Sequence, residues 1–170
     1  MQNPLMGIQV DDKYKIFRLN PQKMPTLFLR LTTRLLTKQL EKLLGFDELN
    51  QIYYRTRQFP DDNRFCENLL KVMNIELEIK ESALEHIPAE GPVVVTSNHP
   101  FGGIDGIILL ACLRRRRRDV KAMVNYMLCV IPEMRDMFIY VDPFDRQASK
   151  RINMRPMREC LTWLKEGLFL

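Results

Sequence analysis

Val93-Val94-Val95-Thr96-Ser97-Asn98-His99-Pro100-Phe101-Gly102-Gly103-Ile104-Asp105 reads as a buried β-strand that delivers a histidine into a turn, with a carboxylate waiting at the start of a helix. The β-branched run 93–96 supplies the strand, and Pro100 with Gly102 and Gly103 supplies the turn. Upstream, residues 75–79 (Ile-Glu-Leu-Glu-Ile) alternate as a half-exposed strand should, 82–86 form a helical turn ended by Pro88, and Glu90-Gly91-Pro92 turns the chain into the strand. Downstream, the pattern predicts a helix from 106 to about 115 and a short strand around 120–124. After these come a helical stretch over 126–136, interrupted at Pro132, and a further strand at 137–141. A long amphipathic helix is expected from Asp145 or Ser149 to Lys165, with Ile152, Met157, Leu161 and Leu164 inward and Pro156 inside it. Gly167 then turns into Leu168-Phe169-Leu170, the first residues of a strand. Strands alternating with helices over 75–170 make this part an α/β layer.

Residues 1–74 have a different texture. The first 25 carry Pro4, Gly7, Pro21 and Pro25 without periodicity and read as an extended or loosely ordered arm. From Thr26, Phe28, Leu31, Leu35, Leu36, Leu40, Leu43 and Leu44 recur at helical spacing. Arg30, Arg34, Lys38 and Lys42 fall mainly on other faces, and Gly45 is placed as the C-terminal stop. Such a basic amphipathic helix either packs its leucines on the rest of the domain or lays them in an anionic membrane interface. Residues 47–57 and 61–73 form two further helices, with Asp61 or Asp62 as N-cap of the second. The chain therefore divides into an arm with amphipathic helices, 1–74, and an α/β domain, 75–170.

The 170 residues suffice for one domain with a sizeable core and a smaller helical unit. Hydrophobic residues make up 46% and charged residues 28%, the balance of a folded chain and not of a disordered one. The net charge of +5 favours anionic partners: phosphate-bearing substrates, acidic lipid headgroups or nucleic acid. Cys66, Cys112, Cys129 and Cys160 are scattered without a CxxC pair, which fits a reducing cytosol. No signal-peptide pattern opens the chain, and the longest apolar run, 107–113, is far short of the roughly 20 residues that cross a bilayer. Membrane contact is expected to be peripheral, on the inner face.

For a hydroxyl to attack a thioester, something must take its proton, and an imidazole titrating near neutrality is the commonest choice. A carboxylate on the other ring nitrogen fixes the tautomer, so His99 and Asp105 suit a base and its orienter. Gly102 and Gly103 permit unusual backbone geometry and expose amides that can face an oxyanion. The bland alternative is a helix-capping Asp105 beside a loop histidine. Neither a metal site nor a phosphate loop fits: no third ligand lies close in sequence, and no Gly-Lys-Ser/Thr comes after the glycines. The five arginines 114–118 sit at a helix C-terminus, where solvated cations are favoured; acidic lipid or cofactor phosphate is their functional reading, and no motif supports nucleic acid.

Residues 75–170 resemble the glycerolipid acyltransferase family, which includes lysophospholipid acyltransferases. The lead-in Leu84-Glu85-His86-Ile87-Pro88-Ala89-Glu90-Gly91-Pro92 and the opening Ser97-Asn98-His99 carry the likeness. The family has Asn-His, four residues, then Asp; here five residues separate His99 from Asp105. The version Asn-His-Pro-Phe-Gly-Gly-Ile-Asp looks like a bacterial, hemolysin-like branch that includes ornithine-lipid acyltransferases, the paired glycines absorbing the extra residue. The resemblance implies His99 as base and Asp105 as its orienter, with Asn98, Gly102 and Gly103 at the substrate. It also implies that Arg146, after the strand ending Tyr140-Val141, holds the acceptor's anionic head. The segment 161–167 resembles the family helix that precedes a strand and a Phe-Pro-x-Gly block; the chain ends before such a block, so a longer acyltransferase domain is expected.

The residues and the resemblance together imply an O-acyltransferase that moves a fatty acyl group from acyl-CoA or acyl carrier protein to the hydroxyl of a lysophospholipid or lyso-ornithine lipid. It would act at an anionic membrane surface and with no bound cofactor. No Ser or Cys accompanies His99 in a nucleophile motif, so transfer is expected to be direct. The alternative is a non-catalytic membrane-binding protein that retains the fold.

Overall fold

The computed structural model describes residues 14–20, 22, 26–60, 64–143 and 147–170. They belong to two compact units, Met1–Pro60 and Asp61–Leu170. In the first, α1 (Leu27–Leu43) and α2 (Phe46–Thr56) are joined through Gly45, whose left-handed φ of 69° ends one helix and opens the next. The described residues 14–20 of the N-terminal arm are tied down. Asn50 on α2 exchanges two hydrogen bonds of 2.9 Å with the backbone of Phe17, and Glu41 on α1 accepts the Leu19 amide at 2.8 Å. Asn50 is buried because both its polar groups are used in this clamp.

Several leucines on α1 and just after it are exposed: Leu35 is 79% and Leu43 81% exposed, with Leu31, Leu36 and Leu44 about half exposed. Exposed Arg34, Lys38 and Lys42 lie among them. No described helix is long and apolar enough to cross a membrane.

The second unit is of the α/β class expected and contains, in order, α3 (Phe65–Val72), α4 (Glu81–Glu85), α5 (Gly103–Arg116), β1 (Ala122–Asn125), β2 (Phe138–Val141) and α6 (Gln147–Lys165). Two 3-10 helices, Tyr126–Val130 and Pro132–Met137, fill the gap between β1 and β2, broken at Pro132 as its missing N–H requires. β1 and β2 pair in parallel, Ala122 opposite Phe138 and Asn125 opposite Val141. The C-terminal residues extend this layer. Phe169 bridges Val93 on one side and Val120 on the other, both parallel, and the Leu170 amide bonds the Val93 carbonyl at 2.9 Å. Phe169 is wholly buried with Met134 and nearly so with Ile139, and at about 1.5–3 kcal/mol for a fully buried side chain of this size it is a principal core residue.

The structure corrects several of the expectations. Residues 75–79 keep the alternating exposure of a strand but pair with no strand among the described residues; alternation sets which side chains face inward and does not supply a ladder partner. The 93–96 stretch is not buried: Val94 is 58% exposed, and among the described residues the strand pairs on one side only. On α6 the inward stripe is Asn153, Pro156, Cys160, Trp163 and Leu164, while Ile152, Met157 and Leu161 are exposed. Two polar attachments set that rotation. Asn153 exchanges 2.8 Å bonds with the backbone of Asp142, and the Trp163 indole donates to the Asp119 and Phe169 carbonyls at 3.1 Å. The N-cap candidates Asp61 and Asp62 and the helix-start candidate Asp145 lie outside the described residues.

The arginine run is not a uniformly solvated helix end either. Arg117 is buried and forks onto Asp119 at 3.0 and 2.5 Å. Its remaining N–H groups reach the carbonyls of Gly91 at 2.7 Å and Gly167 at 3.2 Å, and its plane stands 5.2 Å from the Phe169 ring centre. It ties the turn before the 93–95 strand to the strand beside it.

Candidate active site

Because the bridges and the β1–β2 pair are all parallel, the strands deliver their following residues to one edge of the layer, the edge where open α/β sheets bind ligands. The 93–95 strand runs there into Thr96, Ser97, Asn98 and His99, all exposed. β2 runs there into Asp142 and Pro143, fixed by the Asn153 clamp. Arg146 is outside the described residues.

α5 begins at Gly103, three residues before the start expected from sequence, so Asp105 sits in its first turn and not ahead of it. The N-cap is Gly102, with φ 69° and ψ −135°, a backbone conformation that side-chain-bearing residues rarely adopt. This glycine turns the chain back sharply. The Asp105 amide bonds the Gly102 carbonyl at 3.1 Å, and the Asp105 carboxylate reaches back to accept the Phe101 amide at 2.8 Å. An anion among the open amides of a helix N-terminus is electrostatically favoured.

With the turn drawn in, Nδ1 of His99 lies 3.6 Å from Oδ2 of Asp105, just beyond direct hydrogen-bond reach. Catalytic contacts commonly tighten when substrate arrives. Asp105 is largely covered, with 19% of its side chain exposed, whereas His99 is 59% exposed. The carboxylate is thus the fixed member and the imidazole the accessible one. The helix-capping and histidine-facing readings of Asp105 turn out to be compatible: one oxygen serves the Phe101 amide and faces the ring. The extra residue between His99 and Asp105 does not separate them.

Gly102 and Gly103 carry no side chain over the turn, and a Cβ at either would meet nothing within 4 Å. Asn98 is exposed beside His99 in sequence. The Phe101 ring, 79% exposed, projects from the same turn; sequence patterning did not single it out. His86, the other histidine, bonds the Ser82 carbonyl at 2.8 Å and serves α4. Among the described residues no group of three His, Cys, Asp or Glu side chains is placed to hold a metal ion.

A profile described as acyltransferase matches residues 18–161, most of the chain. Over 111 residues the chain is 28% identical to a lyso-glycine lipid O-acyltransferase of Bacteroides thetaiotaomicron, covering 65% of this chain and 40% of that protein. Over 96 residues it is 30% identical to a lyso-glycine lipid O-acyltransferase of Phocaeicola vulgatus, covering 56% of this chain and 33% of the relative. The matches thus span well under half the length of these curated relatives. No solved structure matches the chain with significance.

Proposed function

The chain belongs to the acyltransferase family, and from that premise we propose that it carries the base-bearing part of an O-acyltransferase acting on a lysolipid hydroxyl. The observation that carries the reading is the 3.6 Å approach of His99 to an Asp105 already immobilised by the Phe101 amide.

In this reaction His99 uses Nε2 to take the acceptor's hydroxyl proton while Nδ1–H faces Asp105, which stabilises the imidazolium. The oxygen attacks the thioester carbonyl, and the amides of Gly102 and Gly103 are the candidates to receive the oxyanion. Collapse breaks the carbon–sulfur bond, forms the ester, and returns the proton from His99 to the thiolate, leaving a free thiol. Asn98 and Arg146 are assigned to the acceptor, Arg146 to its anionic head. The names of the relatives make a lyso-glycine lipid the first acceptor to assay, with lysophospholipids and lyso-ornithine lipid after it. The donor is acyl-CoA or acyl carrier protein.

The reaction runs at an anionic membrane surface, on the cytoplasmic face. Supporting this, α1 offers exposed leucines beside Arg34, Lys38 and Lys42, the make-up of a helix that lies in a lipid interface.

The test is thioester consumption by the full-length protein with each acceptor and each donor. His99→Ala should lower turnover by about 10² or more; normal turnover in that variant removes the mechanism. A wild-type protein that binds anionic vesicles but never consumes thioester favours the non-catalytic reading instead.

A further inference from the structure

A concave site lies at the opposite end of α5. The helix has 14 residues, which at 1.5 Å per residue is about 21 Å from the turn carrying His99. Its last turn leads to Val120, where the layer begins, so this site is at the far edge from His99. A cleft of about 620 Å³ opens there between α3, the extended 75–77 segment and α5. That is the size of a small-ligand pocket.

Its walls are strongly cationic. Arg64, Lys71, Arg114, Arg115 and Arg118 line it, against two carboxylates, Glu67 and Glu76. Apolar side chains from α3, α5 and the 75–77 segment, Leu70 and Ala111 among them, form its floor. The carboxylates do not discharge it. Glu67 is shared between Arg64 at 3.8 Å and Arg115 at 3.6 Å, both loose for ion pairs.

Arg114 is the decisive side chain. It is partly buried, its bonds go to the neutral carbonyls of Arg118 at 2.9 Å and Val120 at 3.4 Å, and no carboxylate among the described residues pairs with it. Burial lowers its affinity for its own proton, the expected response of a cation lacking an anion. A desolvated guanidinium held by backbone beside others is prearranged for a multidentate oxyanion.

We propose that this cleft binds a phosphoryl group carried on an apolar body, with the phosphate on Arg114 and Arg115 and the apolar part on the Leu70–Ala111 floor. Either free phosphate or a phosphate-bearing lipid presents the required head. The site does not depend on the acyl-transfer reading, since it shares no residue with the His99 turn.

Calorimetric titration of the intact chain with inorganic phosphate and with dioctanoyl phosphatidate, and with dioctanoylglycerol as the uncharged control, tests it. Phosphatidate binding at least tenfold tighter than phosphate, with none by the glycerolipid control, supports the proposal; equal affinities would overturn the apolar part of it. In either case Arg114→Gln with Arg115→Gln should weaken binding at least tenfold. Glu67→Gln should tighten it several-fold by removing the competing carboxylate, an effect misfolding cannot mimic. His99→Ala should leave it unchanged. Absence of binding by both phosphates, affinities indifferent to the Arg114, Arg115 and Glu67 substitutions, or loss in His99→Ala would overturn the proposal.

Discussion

Oδ2 of Asp105 accepts the Phe101 amide at 2.8 Å and stands 3.6 Å from Nδ1 of His99, so the group that closes the turn also faces the base. Closing the turn and orienting the ring are separable chemically. Asp105→Asn keeps an oxygen for the amide but loses the charge that stabilises an imidazolium. Turnover of the full-length protein should fall about 10²-fold while its melting temperature stays near wild type. Asp105→Ala should lose comparable activity and also about 1 kcal/mol of stability, as lost helix-end interactions do. Equal melting temperatures for the two variants would remove the structural half of this account.

The two glycines of the turn should respond oppositely. Gly102 has φ 69°, so Gly102→Ala meets no neighbour but forces a side chain into a strained backbone, at a cost of about 1–3 kcal/mol. Gly103 is helical without a positive φ and equally unobstructed, so Gly103→Ala should stabilise by about 0.5–1 kcal/mol. Urea unfolding of both variants measures the contrast.

Arg117 joins the 88–91 turn, Asp119 and the 167–169 segment. Arg117→Ala should cost about 3 kcal/mol, because Asp119 loses its charge partner and buried carbonyls lose their donor. The Arg117 hydrogen bond holds the Asp119 carboxyl below the usual carboxylate range. A depressed carboxylate contributes stability that is fully present above its unfolded value, about 3.9, and is lost as pH falls through the lower folded value. Asp119→Asn should therefore flatten the stability profile below about pH 4. Urea midpoints across that range show it.

Thiol reactivity should follow cover. Burial pushes the Cys66 thiol up to about 11 and also raises Cys160, while Cys129 is exposed. Iodoacetamide should label Cys129 first in the native protein and reach Cys66 only on unfolding, which mass spectrometry of timed samples resolves.

Leu35 and Leu43 are about four-fifths exposed, so replacing both with Asp should cost only the helix-propensity difference, about 1 kcal/mol in all. If α1 lies in lipid, the same change should weaken binding to anionic vesicles more than tenfold, since each buried leucine is worth about 1.5–3 kcal/mol. Unchanged vesicle affinity would remove α1 from the membrane proposal.

Much of this protein was legible because local chemistry decided it. Gly45, Pro132 and Gly102 are residues whose backbone limits or freedoms mark a boundary wherever they occur, and each marks one here. The alternation of strands and helices over 75–170 and the resemblance around Asn98-His99 led to the α/β fold and the acyltransferase family from the chain alone. The features that the sequence could not determine depend on partners far along the chain. Which face of α6 turns inward is set by Asn153 meeting Asp142 and Trp163 meeting Asp119, and which arginine of five is buried by Arg117 meeting Gly167. The approach of His99 to Asp105 belongs to both. The glycines made it possible, and only the folded turn, closed by the Phe101 amide, brought the two side chains together, because a distance between side chains is a property of tertiary geometry that residue spacing does not fix.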